Sequence, residues 1–360
     1  MVRVLGAGRV ATCLVLAGGL LAAAAGPASA TTPAAAAPAG LAITWSAPPK
    51  VRTIMVGSNP TDVAVAEGQS RGYVLNDGSV SVLNLGTHRQ VAEPKTGFHD
   101  QTAIGLVQSG RSAYIGTFDL GVMKVLNTKT LKITRRLRVG KGATAIVSAR
   151  TPAGQFAYVT MFSAGGATGR VAVVRTKNAT LLKTIKLPAG AGTAETTPSG
   201  RSVWAGGVQS GRIWVISTTR QKTVRTISVP KSGPVQSIAF TPGGTRAWVS
   251  GLGGVSVVNV VTSKVLAFVP ITKIFPHVSN LNAGPIMINN SGTEALVVNS
   301  TNVDNPARGT VALLNTRTRK VTAQIKVGIE PTGMTIDRKR STAYTTNFQD
   351  DTVSYFHVPR

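Results

Sequence analysis

The chain has 360 residues, 42% of them hydrophobic and 14% charged, and carries a formal charge of +26 from 39 Lys and Arg against 13 Asp and Glu. That much apolar sequence can bury a sizeable core, but length alone permits either one large domain or two ordinary ones. The single cysteine, Cys13, lies in the first apolar run, so the rest of the chain can form no disulfide, present no thiolate and attach no haem through C-x-x-C-H.

Residues 1–30 read as a secretory signal: Arg3 and Arg9 precede the apolar run VATCLVLAGGLLAAAAG, and Ala28-Ser29-Ala30 supplies a small-residue cleavage pattern. The run is too short and too broken by glycine for a membrane anchor, and Thr12 before Cys13 does not suit lipid attachment. Residues 31–45, beginning TTPAAAAPAG, form an Ala/Pro/Thr-rich spacer, and residues 46–360 read as one folded domain. The expected product is secreted, extracellular or held at the cell envelope, and has no transmembrane segment once the leader is removed.

Seven short runs then recur, GYVLN, AYIGT, AYVTM, VWAGG, AWVSG, ALVVN and AYTTN, with their bulky second residues (Tyr73, Tyr114, Tyr158, Trp204, Trp248, Leu296 and Tyr344) 41 to 48 residues apart. Each is followed by a second β-branched run, from VSVLNL at Val80 to VSYFHV at Val353, and most by a third that is basic and ends in Gly or Pro, such as ITRRLRVG at Ile133. A small apolar strand such as TDVAVA opens the next unit. Four strands per unit with tight turns predict an all-β, seven-bladed β-propeller of four-stranded antiparallel blades. Val51 to Gly57, VRTIMVG, is a fourth strand standing alone before the first unit, while nothing follows Val353's run except Pro359 and Arg360. Strand 51–57 is therefore expected to complete the last blade and close the ring, removing an open edge.

These runs resemble the YVTN family of seven-bladed propellers over about residues 51–360. AYVTM, AYTTN, VSVLN, VALLNTRTRKV and KVGIEPTGMTI carry the likeness. It implies a propeller fold and leaves function open, since such propellers are similar to binding modules, sensors and some enzymes alike. Where the family's third strand ends in aspartate, this chain has Asn84, Asn127, Asn259 and Asn315, with Thr176 and Thr218 in comparable places.

On a blade whose strands run a to d from the axis outward, the a–b and c–d turns share one face. Those turns hold 17 of the 39 Lys and Arg, including Arg317, Arg319, Lys320, Arg338, Lys339 and Arg340, and this face is expected to be basic. It suits an anionic cell-envelope polymer or a protein partner, and it equally suits plain solubility. Nucleic acid is disfavoured, because aromatics are 5% of the chain and the recurring ones occupy core positions. The b–c and d–a loops are expected to be mildly acidic. His99, Asp100, Asp119, Glu195, His277 and Asn280 are the candidate ligand-binding residues there, a polar or metal-holding mouth to the channel. The chain contains no nucleophile elbow, P-loop, H-E-x-x-H or helix-opening G-x-G-x-x-G, so no catalytic residue and no cofactor is expected. A monomeric binding scaffold is the primary reading; a propeller lyase, lactonase or quinone-cofactor oxidoreductase at the acidic mouth and a self-associating surface-layer protein are its rivals.

Overall fold

Strand formation follows from β-branched alternation broken by turn residues, and the two inner-facing runs of each unit are buried on both sides, as a blade lying between two others must be. A computed structural model describes residues 49–66, 68–163, 166–276, 283–299 and 308–358. The leader and the spacer lie outside the described residues.

The strands form seven sheets of four, antiparallel throughout. Six are contiguous in sequence; in the first, Asp62–Val65, Arg71–Leu75, Val80–Asn84 and Arg89–Ala92 are strands a to d. The seventh joins Pro331–Asp337, Thr342–Asn347 and Thr352–His357 to the N-terminal strand Arg52–Met55, with Arg52 opposite Tyr355 and Met55 opposite Thr352. The closing strand is thus shorter than 51–57. Ile54 is its buried residue, packed with Val63, Val74, Tyr344 and Val353 across the seam between the last blade and the first. Helix among the described residues is confined to the turns Pro230–Ser232 and Ile271–Ile274, neither long enough to cross a membrane.

The repeated anchors are buried between blades, Tyr114, Tyr158, Trp204, Trp248, Leu296 and Tyr344 completely. Each such side chain removes roughly 2–3 kcal/mol worth of apolar surface from water. Three tyrosines also reach the c–d turn of the next blade: Tyr73 Oη donates to Thr128 O at 3.4 Å, Tyr114 to Thr176 O at 3.3 Å and Tyr158 to Thr218 O at 3.4 Å. Tyr344 Oη meets His88 Nδ1 at 3.1 Å, which extends the stitch across the seam. These hydroxyls are engaged with the protein itself and form no ligand box.

Candidate functional site at the two mouths of the channel

The c–d turns show what the third-strand asparagines do. Asn127 Oδ1 accepts from Lys129 N (3.0 Å) and Thr130 N (2.9 Å), and Asn84, Asn259 and Asn315 cap their turns in the same way. An amide oxygen accepts these bonds as a carboxylate would, so the turn needs no charge. Thr176 and Thr218 stand one position further along, level with Thr128, and donate to Gln155 O and Gly200 O instead.

On the basic face, Arg317, Arg319, Lys320 and Lys339 are exposed, whereas Arg338 and Arg340 are half-buried. Arg340 Nη1 pairs with Asp337 Oδ2 at 2.8 Å and donates to Gln69 O at 3.2 Å. Glu294 is buried. Asp337 and Glu294 are therefore neutralised or covered, while Arg317, Arg319, Lys320 and Lys339 remain exposed. Basic side chains also extend along the outermost strands, where Arg135, Arg136, Arg138, Lys183 and Lys186 are exposed; the turn-by-turn reading of the sequence placed none of these on a face.

At the opposite mouth the candidate residues are drawn apart. His99 Nδ1 lies 2.9 Å from Asp77 Oδ1, both exposed. Asp100 Oδ2 accepts from Asp119 N (2.9 Å) and Leu120 N (3.1 Å), so it caps the b–c turn of the second blade, and Asp119 enters through its backbone. The preceding Phe98 covers Lys124, a buried lysine in the middle of VMKVLN, whose Nζ sits 3.2 Å from the ring centroid and donates to Thr96 O. Burial first, then neighbouring Arg136, lowers the Lys124 pKa to about 8 against the pull of Asp100. Phe98, His99 and Asp100 thus form a pinned connection, and the lysine amid apolar residues was its signal in the sequence. Among the described residues no three His, Cys, Asp or Glu side chains converge as a metal site. His277 and Asn280 lie outside the described residues.

Glu195 is not at this mouth. It sits near the end of inner strand Ala191–Thr196, next to the a–b turn, and therefore opens on the basic face. The sequence expectation treated it as a loop residue, but the strand continues through it. Register makes the position unusual. Glu195 lies opposite Trp204; the residues opposite the other six anchors are Ala64, Gly105, Val147, Ala239, Met287 and Thr335. One of seven equivalent channel positions carries a carboxyl. It lines a cavity of about 780 Å³ together with Phe240, Met287, Asn290, Arg338 and Lys339. Oε1 accepts from Thr196 N at 3.0 Å, and among the described residues Oε2 has no partner. Burial raises the Glu195 pKa to about 7, opposed by the Thr196 N–H and by Arg338. Arg338 is held across the mouth by Asn290, donating from Nη1 to Asn290 Oδ1 at 3.2 Å while Asn290 Nδ2 donates to Arg338 O.

Asp62 is the second carboxyl on the inner strands whose pKa burial raises, to about 6. Its oxygens accept from Val63 N (2.8 Å) and Ile104 N (3.2 Å), tying the first blade to the second. Both oxygens are engaged with backbone, which makes Asp62 a structural acid.

The fold and these mouths define a seven-bladed β-propeller with a charged cavity on one face. No family model matches the chain, and no curated protein matches it. Among solved structures it is similar to Kuenenia stuttgartiensis hydrazine synthase, with a TM-score of 0.71 at 15% identity, covering 83% of this chain and 96% of that one. At that identity the likeness shows the fold alone.

Proposed function

We propose that this protein is a secreted propeller of the YVTN type, a monomeric scaffold at the cell envelope that docks an anionic envelope polymer through its a–b and c–d face. One observation carries the reading: Arg317, Arg319, Lys320 and Lys339 are exposed there, while Glu294 is buried, Asp337 is paired with Arg340 and Glu195 is set back in a cavity. Exposed surface cations attract a polyanion over about a Debye length, and salt screens that attraction. The enzyme reading needs His99, Asp100, Asp119, Glu195, His277 and Asn280 to share one mouth; His99 and Asp100 are engaged with Asp77 and with the turn at Asp119, and Glu195 opens on the other face.

Purified protein titrated onto isolated cell envelopes across a salt series tests the docking. Wild-type binding should fall steeply with salt, and a variant with Arg317, Arg319, Lys320 and Lys339 changed to Gln should lose most of it. Equal binding by the two proteins would defeat the proposal.

A further inference from the structure

Glu195 has no counterpart in six of seven blades, and ring closure does not require it, since small or apolar residues serve at the equivalent positions. Glu195 is half-buried, and even partial withdrawal of a carboxyl from water costs free energy unless something compensates it. Its neighbour Thr196 N satisfies one oxygen only. Across the cavity stands a cation of opposite sign, Arg338, near enough to act on the carboxyl electrostatically, yet neither side chain has an ion-pair partner among the described residues. Had the pair evolved to neutralise each other, a shorter separation would serve better. Instead the two charges are held apart on a cavity wall, Arg338 fixed by its reciprocal bonds to Asn290 and Glu195 by the end of its strand.

Phe240, Met287 and Ile288 supply apolar lining to the same cavity, and the volume falls within the range usual for small-molecule sites. A plain anion would meet Arg338 and Lys339 but confront the carboxyl. A plain cation would do the reverse. We propose that this cavity binds a small zwitterion of the amino-acid class, its ammonium group on Glu195, its carboxylate on Arg338 with Lys339 beside it, and an apolar side chain against Phe240 and Met287. Such a ligand satisfies both fixed charges at once, and charge-assisted bonds at the two ends give it orientation as well as affinity. The cavity shares Lys339 with the docking face, but Glu195 has no part in polymer docking.

Calorimetric titration of the full protein with L-leucine, L-phenylalanine and L-glutamine tests this, with 3-methylbutylamine and 4-methylpentanoate as leucine skeletons lacking one charge. At least one amino acid should bind, and each single-charge analogue of leucine should bind more weakly than leucine by about tenfold. Glu195→Gln, which keeps the shape, and Arg338→Gln should each weaken amino-acid binding by a similar factor, with urea midpoints confirming that both variants fold. Three results would overturn the proposal: no heat from any amino acid at millimolar concentration, binding unchanged in both variants, or 4-methylpentanoate binding as tightly as leucine, which would mark a simple anion site. Glu195→Gln run in the envelope assay separates the two readings, because polymer docking should survive it.

Discussion

The two mouths of the channel use their charged side chains differently. At the b–c and d–a mouth the acids act on the backbone: Asp100 caps the turn at Asp119, Asp350 Oδ2 accepts from Ile329 N at 2.7 Å, and Asp351 Oδ1 accepts from Asn59 N at 2.7 Å. At the a–b and c–d mouth, asparagines cap the turns, the cations stay exposed, and one carboxyl and one guanidinium face each other across a cavity. A count of charges makes the first mouth look like the reactive one. The partners show that its acids are fastening loops, and that the carboxyl and guanidinium without an ion-pair partner among the described residues line the cavity at the other end.

The largest test of this contrast removes the fastening. Asp350→Ala with Asp351→Ala deletes two charge-assisted bonds to backbone N–H groups, one of them across the seam that closes the ring, and should cost about 3 kcal/mol or more by urea denaturation. Changing Arg317, Arg319 and Lys320 to Gln should shift stability by less than about 0.5 kcal/mol, as exposed charges do. Comparable losses in both would erase the distinction between the mouths.

Asp62→Asn sharpens it next. A carboxyl whose folded pKa is raised favours the native state only while protonated, so its contribution is full below the ordinary carboxylate range. That contribution is lost as pH rises toward the folded value of about 6. Asp62→Asn keeps an acceptor for Val63 N or Ile104 N and removes the buried charge. The lost second acceptor costs the same at every pH, so the variant's stability relative to wild type should be higher at pH 8 than at pH 4, where wild type is already neutral, by on the order of 2 kcal/mol. An equal difference from wild type at both pH values would mean that burial of the charge is not the cause. Glu195 titrates in the same direction at about pH 7, facing Arg338 and Lys339. Amino-acid binding, which needs its carboxylate, should strengthen severalfold between pH 6 and pH 8, and the slope should vanish in Glu195→Gln.

The fold could be read from spacing alone because a propeller repeats its physics: each blade needs a bulky residue between sheets, and Tyr73, Tyr114, Tyr158, Trp204, Trp248, Leu296 and Tyr344 report it at every turn of the ring. The isolated run at Val51 likewise announced the seam. Glu195 was misplaced because a boundary shift of a few residues at a strand end moves a side chain to the other mouth. The signal was nevertheless present: Ala64, Gly105, Ala239, Met287 and Thr335 each stand nine residues before their anchor, as Glu195 does before Trp204. What no count could show was that Asp100 and Asp351 bond to backbone from loops distant in sequence, since those pairings exist only once the blades have met.

The smallest expected effect on stability gives a direct exchange between the two mouths. Asn84, Asn127, Asn259 and Asn315 each accept two backbone N–H bonds, and aspartate accepts the same bonds in the same geometry, so the fourfold change to Asp leaves every cap in place. Each site should change stability by no more than about 0.5 kcal/mol, slightly favourably where Lys129 or Arg317 lies two residues on. The field is another matter, because four carboxylates would now stand among the exposed cations of the docking face, as acids already do at the opposite mouth. Envelope binding at low salt should fall severalfold while the urea midpoint holds. If binding instead persists undiminished, the cations of the c–d turns serve solubility, and neutral caps at those turns carry no consequence for recognition.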